Sequence, residues 1–126
     1  MKAKFLMTQE VITVGPDADI DEATKLLLQH HISGVPVVNE TGEVVGVFST
    51  TDVLARRGQL VRDVMTSPAV CVGPDTSMEE VATLLVAKDI NRVPVVQEGR
   101  LVGIVCRADI VRYVASKRAW VEARKT

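Results

Sequence analysis

One stretch constrains this chain more than any other, because it occurs twice. Val35-Pro36-Val37-Val38 leads to Gly46-Val47-Phe48-Ser49-Thr50-Thr51-Asp52, and Val93-Pro94-Val95-Val96 leads likewise to Gly103-Ile104-Val105-Cys106-Arg107-Ala108-Asp109. Setting Met7-Thr8 against Met65-Thr66 gives an offset of 58, with 14 identities in the 32 positions up to Val38 and Val96. One residue is then lost, so Gly42, Gly46 and Asp52 match Gly99, Gly103 and Asp109 at an offset of 57. A glycine-containing turn is where a repeat tolerates such a deletion. Self-similarity of this kind decides the fold, since two copies of one sequence pattern call for two copies of one structure.

The local signals agree between the copies. Val11–Val14 and Ala69–Val72 read as short strands, each closed by a Gly-Pro-Asp turn. A helix follows in each copy, opened by the capping-box patterns Asp19-Ile20-Asp21-Glu22 and Ser77-Met78-Glu79-Glu80. Ile20, Ala23, Leu26 and Leu27, and likewise Met78, Val81, Ala82, Leu84 and Leu85, recur at helical spacing and give each helix one buried face. Val35–Val38 then reads as a buried strand, Asn39-Glu40-Thr41-Gly42 as a turn and Val44–Phe48 as the next strand. The second copy repeats this around the tighter turn Gln97-Glu98-Gly99-Arg100. A helix from Ser49 to Arg57 closes the first copy, with Gly58 as its C-cap.

The last helix is expected to be longer. From Arg107 its pattern runs through Ile110, Val111, Val114, Trp120 and Val121, with Lys117, Arg118, Arg124 and Lys125 placed to suit the helix dipole. It reads either as an amphipathic helix beside the domain or as a contact helix for a second copy or another protein. The fold class is therefore α/β: two repeated β-α-β-β-α units at 1–58 and 59–115, then a basic C-terminal helix extension at 116–126. A unit of about 55 residues is marginal alone, whereas two can bury their sheets against each other. Packing sheet to sheet with pseudo-two-fold symmetry is the expectation.

Composition excludes several classes. Lys and Arg total 15 against 16 for Asp and Glu, a net charge of −1, and aromatics are 3% of the chain. That balance argues against nucleic acid as the partner, by backbone charge or by base stacking. No apolar run reaches the ~18 residues of a membrane span, and the N-terminus has too short an apolar stretch for a signal peptide. A cytoplasmic protein is the expectation. Cys71 and Cys106 stand far apart in apolar runs and read as buried free thiols rather than a metal or redox pair. Neighbouring His30 and His31 point about 100° apart on a helix, so they read as a helix end and not as a metal site. Neither dinucleotide nor P-loop glycine motifs occur, and no nucleophile stands beside a base. No catalytic role is expected.

The Val-Pro-Val-Val strand, the Gly-h-h-[Ser/Thr]-x-x-Asp end of the unit and the Met-Thr opening resemble the cystathionine-β-synthase (CBS) domain. The tandem arrangement, from about Phe5 to Ala115, resembles a Bateman module. The resemblance implies a stand-alone regulatory module without obligatory cofactor or metal. Its ligand would be AMP, ADP, ATP or S-adenosylmethionine, bound in clefts between the repeats, and its partners a second copy in a homodimer and an unknown regulated protein. One implied pocket joins Ser49, Thr51 and Asp52 with Thr66, Cys71, Ile90, Asn91 and Arg92. The other joins Cys106, Arg107 and Asp109 with Thr8, Thr13, Ile32, Ser33 and Gly34.

The residues fit those implied roles. A carboxylate at the start of a helix can accept hydrogen bonds from both ribose hydroxyls, and the helix N-terminus can offer N–H groups to a phosphate. Equally, Ser49-x-x-Asp52 is a capping box, which needs no ligand to explain it. Asp109 lacks that explanation in part, because its cap-equivalent residue is Cys106. The first pocket has Ser49 and Arg92, where the second has Cys106 and Gly34. Unless Arg107 reaches a phosphate, the first is expected to bind phosphorylated ligands better. The alternative is a dimerisation and protein-interaction module with vestigial, ligand-free pockets.

Overall fold

The computed structural model describes residues 1–55 and 57–125, with side chains described as far as Lys117. The element order is α1 (Ala3–Leu6), α2 (Ile20–Gln29), β1 (Gly34–Val38), β2 (Val44–Ser49), α3 (Thr50–Leu54), α4 (Val61–Val64), α5 (Met78–Ala87), β3 (Arg92–Gln97), β4 (Arg100–Cys106) and α6 (Arg107–Lys125). The chain forms two compact units, one of Val11–Val70 with Glu98–Leu101, the other of Met1–Glu10, Cys71–Gln97 and Val102–Thr126.

In the first of these units, β1 and β2 form an antiparallel hairpin that pairs Val35 with Phe48 and Gly34 with Ser49. Val14 adds a parallel bridge to Val37, and Thr66 an antiparallel bridge to Val47. The second unit repeats the arrangement, with β3 paired to β4, Val72 bridged to Val95, and Thr8 bridged to Ile104.

Val11–Val14 and Ala69–Val72 are not strands. Only Val14 and Val72 pair, and the prolines explain why. Val14 donates to the carbonyl of Pro36 and accepts from the N–H of Val38, as Val72 does with Pro94 and Val96. Extending the parallel ladder backwards needs an N–H on Pro36 or Pro94. Extending it forwards needs one on Pro16 or Pro74. Proline has none, so each ladder stops at one residue.

Helices α2 and α5 start where the sequence says. Asp19 Oδ1 accepts from the N–H groups of Asp21 and Glu22, and Ser77 Oγ from that of Glu80. They also end alike, on His31 and Asp89 in the left-handed region (φ 53° and 51°). The N–H of His31 then reaches the carbonyl of Leu28 and that of Ile32 the carbonyl of Leu27; Asp89 and Ile90 do the same with Val86 and Leu85. This is the Schellman closure. His30 and His31 are exposed at this helix end, as expected.

The core around β1 and β2 comprises Ile20, Ala23, Leu27, Val35, Val37, Phe48 and Val61. Val61 comes from α4, and its counterpart Ala3 from α1 is equally inaccessible. Neither short helix is visible in the sequence pattern. Each delivers one buried residue and then a Met-Thr pair. α3 is shorter than expected, ending at Leu54 with Ala55 as its C-cap. Gly58 is therefore not the cap. Its φ of 96° instead lets the chain pass against the Asp63 carboxylate, which a Cβ there would approach to 2.6 Å. The packing of Arg118, Trp120, Val121, Arg124 and Lys125 lies outside the described residues.

Candidate functional site

The end of the hairpin carries the candidate chemistry. In the first copy, one oxygen of Asp52, Oδ2, accepts from the backbone N–H of Ser49 at 2.8 Å and from Ser49 Oγ at 3.3 Å. Oδ1 has no hydrogen-bond partner among the described residues. Asp52 is half-buried, while Thr51 is exposed. The N–H of Thr50 donates to the carbonyl of Ser33 at 2.9 Å, which sets Ile32, Ser33 and Gly34 beside the start of α3. Thr66 is exposed, and its backbone pairs with Val47, two residues before Ser49. Thr13 is exposed just before the Val14 bridge. At five residues, α3 is too short to carry much of a macrodipole.

The second copy rebuilds this with different side chains. Asp109 Oδ2 accepts from the backbone N–H of Cys106 at 2.7 Å, so the cap needs only the main chain of Cys106 and not its thiol. The N–H of Arg107 donates to the carbonyl of Asn91 at 2.9 Å. Thr8 pairs with Ile104 and is exposed. Ile90, Asn91 and Arg92 follow the helix closure, and Arg92 is partly buried.

Arg107 is committed elsewhere than a phosphate. Its Nε donates to the carbonyl of Ile90 at 2.8 Å and its Nη2 to that of Leu85 at 3.0 Å. The guanidinium thus satisfies carbonyls at the C-terminal end of α5, where a cation also suits the dipole. A residue the sequence did not single out, Arg112, donates to Asp109 Oδ1 at 2.8 Å.

Cys71 and Cys106 are free but only partly buried, which corrects the expectation of buried thiols. Partial burial disfavours the thiolate of Cys71 and pushes its pKa up. Away from all these residues, an open cavity of about 600 Å3 lies between the Gly15–Ala18 turn and the β1–β2 turn. Thr41 and Asn39 hydrogen-bond Glu43 there and, with Arg100, hold its carboxyl below the usual range. None of the expected site residues lines it.

One glycine in each copy explains why the Met-Thr and Gly motifs occur together. A Cβ on Gly46 would sit 2.7 Å from Met65 Sδ and 2.8 Å from the carbonyl oxygen of Thr66. A Cβ on Gly103 would collide with Met7 Sδ. The bare glycine lets the Met-Thr segment close onto the strand that leads into the helix carrying the aspartate.

The sequence profile of the CBS domain matches residues 3–58 and again 61–116. The chain belongs to the CBS domain family. Its two CBS repeats are similar to part of the inosine-5'-monophosphate dehydrogenase of Methanocaldococcus jannaschii, with 38% identity over 114 residues. That match covers 88% of this chain and 23% of the dehydrogenase. Among solved structures, CBSX2 of Arabidopsis thaliana, determined in complex with AMP, is 30% identical with a TM-score of 0.88, covering 93% of this chain and 98% of that one. The CBS pair of the protein MJ0100, in complex with 5'-methylthioadenosine and S-adenosyl-L-methionine, is 31% identical with a TM-score of 0.85, again covering 93% and 98%. No helix among the described residues is long and apolar enough to cross a membrane.

Proposed function

We propose that this CBS pair is a regulatory module that binds an adenosine-containing ligand and passes a conformational change to a partner protein. The observation that carries the reading is the Asp52 carboxylate. It is half-buried in the first turn of α3, anchored through Oδ2 to the backbone N–H of Ser49, and among the described residues Oδ1 has no hydrogen-bond partner. Two adjacent ribose hydroxyls are such donors, and hydrogen bonds to an ionised acceptor are about twice as strong as neutral ones. CBSX2 with AMP and MJ0100 with S-adenosylmethionine support adenosine as the common element. Thr66 and Thr8 supply exposed hydroxyls, and Ser49, Thr51 and Arg92 are assigned to a phosphate. Cys71, Thr13 and the Ile32–Gly34 and Ile90–Arg92 segments are assigned to the base through backbone and aliphatic contacts. A cytoplasmic location, a homodimer and a ligand drawn from AMP, ADP, ATP or S-adenosylmethionine belong to the same proposal. Binding regulates only if affinity differs between the states of the module.

The test is calorimetric titration with AMP. Asp52→Ala is expected to lose binding at the stronger site while remaining folded, since the lost cap costs only about 1 kcal/mol. Unchanged affinity would remove Asp52 from the site. Arg92→Ala is expected to weaken AMP more than adenosine. A second reading, a ligand-free interaction module, is favoured by one observation. Leu28 and Leu54 in the first copy, and their counterparts Val86 and Val111 in the second, are 69%, 89%, 75% and 64% exposed.

A further inference from the structure

Among the described residues, the two repeated aspartates differ in their partners. Asp109 has both carboxylate oxygens engaged, Oδ2 by the N–H of Cys106 and Oδ1 by the Nη2 of Arg112, each through a short hydrogen bond. The position matching Arg112 in the first copy is Ala55, which offers no such donor. The Asp109 side chain is 14% exposed and that of Arg112 is 72% exposed. One member of the pair is thus fixed and the other is a solvent-borne arm.

We propose that Arg112 is a specificity-determining competitor built into the second copy, holding the carboxylate oxygen of Asp109 that a ribose diol needs. The inference rests on the reading of the aspartates as ribose acceptors and deepens it. A carboxylate bound on both oxygens retains lone pairs, but its charge is partly neutralised and its outer face is occupied by a planar guanidinium. A neutral nucleoside must displace that group and gains nothing from it afterwards. A nucleoside phosphate carries the charge that can draw the guanidinium away. Arg112 therefore penalises adenosine more than AMP at the second aspartate. A pair with one solvent-borne member corresponds to a factor of up to about five in affinity, and salt screens it.

The experiment uses adenosine and AMP as probes, by calorimetric titration of Asp52→Ala and of Asp52→Ala/Arg112→Ala, at about 50 mM and about 500 mM NaCl. Removing Arg112 is expected to tighten adenosine about two- to fivefold at the lower salt. The gain should shrink at the higher salt and be smaller for AMP. Arg112→Lys, which keeps the charge without the fork, should fall between. Adenosine affinity indifferent to Arg112 at both salts would overturn the inference while leaving the ribose reading intact. So would a loss of affinity for both probes, because Arg112 would then be a ligand contact. If unsubstituted protein binds neither probe, the ribose reading falls and this inference with it.

Discussion

Gly46 and Gly103 hold the same motif position and the same kind of contact, yet the structure assigns them different tolerance. An added Cβ at Gly46 meets the backbone oxygen of Thr66 as well as Met65. At Gly103 the three nearest atoms all belong to the flexible Met7 side chain. Gly46→Ala should cost about 2–3 kcal/mol and Gly103→Ala about 1 kcal/mol, as overpacking does. Urea denaturation checks the order. Met7→Ala should relieve Gly103→Ala, whereas Met65→Ala should relieve Gly46→Ala only in part. Equal costs at the two glycines would contradict the packing described. The glycines, the Met-Thr pairs and the aspartates were all legible in the sequence as repeated letters. That each glycine meets a Met-Thr segment was not, because the contact depends on where a segment distant in the chain returns.

At the scale of elements, Arg107 shows how one helix fastens another. It is the first residue of α6, and its side chain holds the carbonyls of Ile90 and Leu85 at the end of α5. Arg107→Ala should destabilise the protein by about 1–3 kcal/mol, since a partly buried carbonyl loses its charged donor. Thr50→Ala at the matching position should stay within about 0.5 kcal/mol. Chemical denaturation distinguishes the two, and a neutral Arg107→Ala would make the contact incidental.

α1 is fastened by charge as well as by Ala3. Lys4 and Lys2 lie 3.1 and 3.5 Å from Asp75, and the Lys4 hydrogen bond and charge, then the charge of Lys2, depress the Asp75 pKa. A depressed carboxylate contributes stability above its ordinary pKa and loses that contribution as pH falls through the folded value. Lys4→Ala should therefore raise the Asp75 pKa towards the ordinary value, measured by carboxyl NMR titration. An unmoved titration would show that Lys4 does not hold it. The ten-residue helices α2 and α5 were legible from cap and period. α1 and α4 were not, because four residues carry no period and neither N-cap residue, Lys2 or Leu60, is a capping type.

At the scale of the whole molecule, duplication fixes the fold and the departures from it give each copy its own chemistry. The repeat, the hairpins and the tighter second turn follow directly from the sequence. The Val11–Val14 and Ala69–Val72 segments misled because β-propensity describes residues, while a ladder also needs an N–H on its neighbour. Arg112 was hidden because an arginine three residues after an aspartate on a helix is ordinary until its partner is itself a candidate site residue. Ser49 against Cys106, Gly34 against Arg92 and Ala55 against Arg112 make the two copies unequal in charge and in donors.

The central claim is that this CBS pair binds adenosine-containing ligands through its repeated aspartates. Thermal unfolding of nucleotide-free protein against AMP, ADP, ATP, S-adenosylmethionine and GTP tests it most directly, alongside Asp52→Ala/Asp109→Ala. At about 100 times its dissociation constant a ligand adds about 2.7 kcal/mol, which for a chain of this size is a rise on the order of 10 °C. The account predicts such a rise with at least one adenosine-containing ligand, none with GTP, and none in the doubly substituted protein. A flat response to every adenosine-containing ligand, or a rise that survives the loss of both aspartates, would contradict it.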